Sequence, residues 1–274
     1  MHGAHLITRT ESQKAALEAP PSLSPRRTAL ITGASSGLCS GVALALARFG
    51  YDLVLTFRAT DPQPVVQRAR EAGATVHTVR IDFDDSPEII ARSLAALVAE
   101  YSIDVLVHGV GPMTTKRFSR SAFADYEAML NGNLRSAVLC AQALLPGMRE
   151  RKYGRLIFFA MNHSDVTQPV RGLSLHAAAK SGLVAFAKTL ALEEGANGIT
   201  VNVVAPGDIR DKQAMRAQAR LRKAQNPVGR PGSWEDVADA VRFLIAADAD
   251  FFNGVVLHVN GGLAEPYERN AERP

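Results

Sequence analysis

Short apolar runs alternate with amphipathic stretches along most of the chain, and the alternation predicts strands and helices in turn. Residues 28–32 read as a first strand, followed by a glycine-rich turn. Residues 42–47 then read as a helix that Gly50 closes at its C-terminal cap. Further strands are expected at 52–57, 75–81, 105–107, 156–159, 200–204 and 255–259. Helical pattern occupies a segment ending at 67–73, one opening at Ser86-Pro87-Glu88, and the stretches 122–151, 176–194 and 233–246. Ser86 reads as an N-cap with Pro87 at the first helical position, and Ser233 with Asp236 reads as a capping box. Strands that alternate with helices imply parallel pairing through right-handed crossovers. Near-continuous apolar strands imply a sheet covered on both faces. The expected fold is therefore α/β: a three-layer, doubly wound Rossmann fold with a central, mostly parallel seven-stranded sheet.

No Pro- or Gly-rich linker interrupts residues 28–262, so residues 28–264 read as one domain. Residues 1–27, polar and carrying Pro20, Pro21 and Pro25, read as a disordered arm, and 265–274 as a tail. The chain of 274 residues is 47% hydrophobic and 21% charged, an ordinary globular composition. A domain of this size buries roughly 70–75% of its unfolded surface and needs no disulfide staples. Cys39 and Cys140 form no metal-type spacing and fit a reducing compartment, and no signal-like segment opens the chain, so a cytoplasmic location is expected. No apolar run approaches the ~18 residues of a membrane span. A net charge of +4 is too small to indicate nucleic-acid binding.

The chemistry begins in Thr32-Gly33-Ala34-Ser35-Ser36-Gly37-Leu38-Cys39, between the first strand and the first helix. Glycines there let the backbone approach a pyrophosphate at the helix N-terminus, where free N–H groups and the dipole favour anions. The chain here resembles the short-chain dehydrogenase/reductase family, whose fingerprint it matches except that Cys39 replaces the last glycine. That replacement predicts looser helix–strand packing. The resemblance continues through Asp82-Phe83, Asn133, Gly154-Arg155, Lys180, the segment Thr200 to Gly207, and Gly254 through Gly262. Its tail looks most like the 3-oxoacyl-carrier-protein reductase type.

The resemblance implies a cofactor site built from Gly33, Ser35, Ser36, Gly37, Leu38, Arg58, Asp82, Phe83, Gly109, Lys180, Pro206, Gly207 and Ile209. It implies catalytic roles for Asn133, His176 and Lys180. The family's proton donor is a Tyr four residues before the Lys. Here that position holds His176, and no tyrosine lies between Tyr153 and Tyr267. The family's substrate-binding Ser aligns on Met161 counted forward and on His163 counted back, so a lengthened loop is expected. Asn162, His163 and Ser164 are its candidate replacements. His108 reads as a packed strand-end residue. His108, His163 and His176 show no metal-ligand spacing, and no metal is expected.

Strand two ends in Thr56-Phe57-Arg58 with no carboxylate before Asp61, which favours NADP over NAD. Residues 210–230 carry seven basic side chains and one acid, Asp211, a pattern suited to a solvated helix or to a lid over an anionic acyl carrier. The expected function is NADPH-dependent reduction of a small-molecule carbonyl, including a 3-oxoacyl thioester. The alternative is an NADP-binding homologue without turnover, acting as sensor or inert subunit. The resemblance makes the helical segments 122–151 and 176–194 the dimer-forming helices, with Leu183, Phe186, Leu190 and Leu192 supplying apolar surface, so a homodimer or homotetramer is expected.

Overall fold

Seven strands form one sheet in the order β3-β2-β1-β4-β5-β6-β7: β1 Thr28–Thr32, β2 Asp52–Phe57, β3 Val76–Arg80, β4 Val105–His108, β5 Gly154–Phe159, β6 Ile199–Pro206 and β7 Val256–Val259. The computed structural model describes residues 26–263, so the readings of residues 1–25 as an arm and of 265–274 as a tail lie outside it. Every strand pair is parallel, which sharpens the expected mostly parallel sheet. The strand order reverses between β1 and β4, and ligands of such sheets bind in the crevice beyond the strand ends at that point.

Helices α1 Gly37–Arg48, α2 Gln63–Glu71 and α8 Trp234–Ile245 cover one face. Helices α3 Pro87–Glu100, α5 Ser136–Glu150 and α6 Ser174–Glu194 cover the other. Two apolar cores result. Leu44, Val66, Trp234 and Val241 fill the first, and Ile90, Leu94, Met148 and Leu183 the second. A Cβ on Gly41 would run into the Trp234 ring, so glycine there sets how closely α1 and α8 approach. The expected capping box opens α8: Ser233 Oγ accepts from Asp236 N (3.3 Å) and Asp236 Oδ2 from Ser233 N (2.8 Å).

Several boundaries differ from the sequence reading. Arg26 and Arg27, expected in the arm, are anchored to the domain. Arg26 bonds the Gly73 carbonyl, and Arg27 bonds the Tyr153 hydroxyl and lies over its ring. Helix α2 ends at Glu71, two residues before Gly73, and carries Pro64 in its first turn. The expected helix 122–151 is not continuous. It comprises α4 Phe123–Leu130, a π-turn Asn131–Arg135 and α5. The widened turn brings Asn133 inward, where its Nδ2 donates to Met129 O (2.9 Å) and Pro112 O (3.0 Å). Hydrophobic periodicity alone does not register a one-residue π-bulge, a feature that recurs at functional sites.

Candidate active site

Thr56, at the end of β2, holds the glycine turn from below. Its Oγ1 accepts from Gly33 N (3.3 Å) and its carbonyl from Ala34 N (3.1 Å). Gly33 and Gly37 both have φ near +65°, a conformation that side chains disfavour, so both glycines are needed for the turn. Ser36 is the N-cap of α1 yet its side chain makes no capping bond, and the first turn carries no acid. The helix N-terminus therefore keeps its donors free and repels no anion. Ser35 and Ser36 border this cradle, and Leu38 packs its side chain back against the core. The Lys212 side chain passes over the open face of Gly37. It adds a cation to the cradle that the sequence reading counted only as part of a lid.

The expected loosening at Cys39 does not occur. Its thiol is buried and occupies the space that a side chain on Gly109 would need. Burial pushes the thiol pKa up to about 12, so it packs as a small neutral group. The cysteine in α1 and the glycine after β4 are thus matched across the strand–helix contact. Gly109→Ala is expected to destabilise the fold by about 1–3 kcal/mol through overpacking, and Cys39→Gly in the same chain to recover most of that loss. Urea midpoints of the two single variants and the double variant check this. Additive losses would show that the two positions are not coupled.

His108 is fully buried and bridges β1 to α5, with Nδ1 3.0 Å from Thr32 Oγ1 and Nε2 3.0 Å from Ser136 Oγ. Burial, and secondarily the Lys180 charge, lowers its pKa to about 3. It is a neutral brace. Asp82 accepts from Asp84 N (3.0 Å) in the turn after β3. Phe83 packs its ring edge-on against His108, which leaves only its backbone within reach of a ligand. Arg58 is paired with Asp84 and lies 3.9 Å from Asp82. The carboxylates missing beside Arg58 in sequence thus arrive from the turn after β3. Arg80 also stands there, donating Nε to the Arg58 carbonyl (3.0 Å). Pro206 ends β6, Gly207 and Ile209 follow it, and Gly207 N bonds Val259 O (3.0 Å).

Lys180, Asn133 and His176 meet around Gly111 and Pro112. Lys180 Nζ donates to Phe159 O (2.6 Å) and lies 3.1 Å from where a Cβ on Gly111 would stand. Asn133 Oδ1 borders the same point, buried and with no hydrogen-bond partner. Burial lowers the Lys180 pKa to about 8, so its ammonium persists at neutral pH. His176 is also buried, with Nδ1 3.2 Å from Pro112 O. A carbonyl only accepts, so Nδ1 carries the proton and Nε2 the lone pair. Burial, and then the Lys180 charge, lowers the His176 pKa to about 4. At pH 7 the imidazolium is therefore about one molecule in a thousand.

The three histidines do not converge: His108 faces Thr32, His176 faces Pro112, and His163 turns to Leu263 O (2.7 Å). Of the candidates for the family Ser, His163 and Ser164 are engaged elsewhere, while Asn162 is held through its oxygen and keeps a buried Nδ2 with no hydrogen-bond partner. Ser164 Oγ closes a turn onto Met161 O (2.7 Å), and Asn162 Oδ1 accepts from Asn260 Nδ2 (2.9 Å). Three of the seven basic side chains of residues 210–230 are matched by acids outside that stretch. Arg216 reaches Asp236 and Asp239, Arg230 forks onto Asp236 (2.9 Å at both nitrogens), and Arg210 pairs with Asp208. These acids, distant in sequence or just before the lid, are what the local count missed.

The family model described as Enoyl-(Acyl carrier protein) reductase matches residues 33–264. The chain is similar to the YtkK protein of Bacillus subtilis (strain 168), 34% identical over 247 residues that cover 86% of this chain and 96% of that one. It is similar to the 3-oxoacyl-[acyl-carrier-protein] reductase FabG of Escherichia coli (strain K12), 33% identical over 241 residues covering 86% and 97%. Among solved structures it resembles the acetoin dehydrogenase YohF of Salmonella typhimurium, with TM-score 0.78 and 30% identity over 88% of this chain and 99% of that one.

Proposed function

The chain belongs to the short-chain dehydrogenase/reductase family, and from that premise we propose that it is an NADP(H)-dependent reductase of a small carbonyl compound, a 3-oxoacyl thioester being the leading candidate. The observation that carries the reading is the meeting of Lys180, Asn133 and His176 beside Gly111, at the open end of a glycine cradle fit for a dinucleotide. The uncapped α1 N-terminus and the orphaned Asn133 oxygen fit the phosphate and ribose ends of such a molecule. Gly33, Ser35, Ser36, Gly37 and Lys212 would hold the pyrophosphate. Asp82, the Phe83 backbone and Gly109 would hold the adenine half. Lys180, Pro206, Gly207 and Ile209 would hold the nicotinamide half. When bound, reduced NADP supplies the hydride.

The chain's own part is to orient the substrate and to deliver a proton to the developing alkoxide. His176 stands at the family's donor position but its Nε2 is unprotonated at neutral pH. Lys180, four residues on and still an ammonium, is the available acid, held in place by the Phe159 carbonyl. Asn133 keeps the π-turn and Pro112 fixed around both.

Cofactor choice rests on Arg58. Its side chain is 60% exposed and its acidic partners are exposed or half-buried, so these ion pairs are weak and a 2′-phosphate competes for the guanidinium. Wild type is expected to bind NADP more tightly than NAD, and Arg58→Ala to lose roughly tenfold for NADP with NAD unchanged. Fluorescence titration of both dinucleotides, followed by a carbonyl panel that includes a 3-oxoacyl thioester, tests the function. Tighter NAD binding would overturn the cofactor assignment. Tight binding with no turnover on any carbonyl would point to the binding-only role.

We also propose that the chain forms a homo-oligomer, with fewer of the expected apolar residues on its surface. Leu183 and Leu190 are buried inside the subunit and Phe186 packs on Phe158, so of the four only Leu192, at 86%, is exposed. Within the expected segment 122–151, α4 exposes Phe123 and Tyr126, stacked in the open, and Phe243 packed on Phe252 beside the exposed Phe251 forms a further apolar group.

A further inference from the structure

The loop after β5 and the end of β7 bring His163, Asp165 and His258 together, nearly a hundred residues apart in sequence. One ligand atom from each lies within 4.8 Å of the other two. His163 Nε2 points at Leu263 O (2.7 Å), so it carries the proton and leaves Nδ1 with its lone pair. A ring nitrogen fixed by a backbone carbonyl is the usual outer support of a metal-ligating histidine. His163 holds a φ of +58°, rare for a side-chain-bearing residue and stabilised here by two turn bonds, Val166 N (3.3 Å) and Gln168 N (3.2 Å) to its carbonyl.

The tautomer of His258 follows from a chain of fixed contacts. Gly262 N donates to Asn260 Oδ1 (3.0 Å), which fixes that amide. Asn260 Nδ2 then donates to Asn162 Oδ1 (2.9 Å) and to Leu263 O (3.1 Å). Asn162 Oδ1 is thereby an acceptor, so His258 Nδ1, 3.3 Å away, presents its N–H to it. In neutral His258 this leaves the Nε2 lone pair aimed at the Asp165 carboxylate, 3.3 and 3.4 Å from its two oxygens. Asp165 Oδ1 is buried and has no hydrogen-bond partner. A proton on Nε2 or a metal cation between the two groups would satisfy both, and His163 beside them supplies the third donor that a metal ion would use. Metal–ligand bonds of about 2.0–2.1 Å at a tetrahedral centre place neighbouring ligand atoms about 3.3 Å apart, the separation of His258 Nε2 from the Asp165 carboxylate, while the His163 ligand atom lies within 4.8 Å of both.

We propose that His163, Asp165 and His258 form a binding site for one divalent transition-metal cation of the zinc class. Imidazole nitrogens and a carboxylate are the donor set that such ions favour over magnesium or calcium. Three protein ligands leave a fourth position open to water or to a substrate oxygen. The site joins loop 161–167 to the end of β7. The same loop is tied to the helix that carries Lys180, because Ser181 Oγ donates to Ser164 O (2.9 Å). A bound cation would thus fix the wall of the candidate active site. The proposal stands independently of the cofactor and substrate assignments.

The test titrates the metal-stripped full-length chain with Zn²⁺ by calorimetry and with Co²⁺ by visible absorption. Wild type is expected to take up one equivalent, to show the intense d–d bands of tetrahedral cobalt, and to melt at a higher temperature with metal. Outer-shell partners alone are worth about 10–100-fold in affinity, so Asn260→Ala should lose that much, and His258→Gln and Asp165→Asn at least as much. The sequence also offers His2 and His5 near its start, and the double variant His2→Ala/His5→Ala should bind as wild type does. Circular dichroism confirms that each variant is folded. Absence of saturable uptake by wild type, or uptake unchanged in His258→Gln, would overturn the proposal and leave His258–Asp165 as an imidazolium–carboxylate pair.

Discussion

Replacing His176 by tyrosine is expected to raise carbonyl reduction by about 10²–10⁴-fold, the range that a positioned general acid contributes. The wild-type side chain is a poor donor for two reasons that reinforce each other. Its Nδ1 proton is committed to Pro112 O, and its pKa of about 4 leaves almost no imidazolium at neutral pH. A phenol beside the Lys180 ammonium would be pushed toward ionisation by the like placement of an opposite charge, which brings its proton affinity nearer the working pH. Cofactor binding should change little, since the imidazole takes no part in the phosphate cradle. The measurement is steady-state kcat/KM on the carbonyl panel, with dinucleotide titration alongside. The wild-type pH profile sharpens it: if Lys180 is the acid, reduction falls as pH rises through about 8, where the ammonium is lost. A His176→Tyr variant that is slower than wild type would make His176 itself the acid. An unchanged rate would remove it from the proton-transfer position.

Acid should unfold this protein sooner than its carboxylates alone would dictate. His108 and His176 are buried neutral, with folded-state pKa values of about 3 and about 4 against about 6.5 unfolded. Between those limits the unfolded chain binds the extra protons, so stability rises with pH there and is lost as pH falls. It is fully present above about 6.5. From pH 7 to pH 5 the two side chains together should cost roughly 4 kcal/mol. That is a large part of the 5–15 kcal/mol that a domain of this kind ordinarily holds. Urea unfolding at the two pH values measures it, and His176→Tyr should halve the difference. A stability that stays flat from pH 7 to pH 5 would mean that neither histidine is buried as described.

The architecture was legible in the chain because its determinants are local. Apolar runs, turn residues and caps such as Ser233 with Asp236 act over a few residues, and parallel strands joined by helices admit few arrangements. The glycine cradle was legible for the same reason: Gly33 and Gly37 are needed where they stand by their own backbone geometry. What local pattern left out were contacts between distant segments. The Cys39–Gly109 match, Asp84 on Arg58, Asp236 on Arg216 and Arg230, and His163 with Asp165 and His258 each join residues that no spacing relates. The π-turn at Asn133 and the burial of Leu183 and Leu190 likewise depend on which neighbour each face meets. Residue types and their order determined the sheet, its helices and the position of the glycine cradle. Only the tertiary structure decided the charge and protonation of the groups around it, because desolvation and Coulomb interaction depend on distance through space and not along the chain.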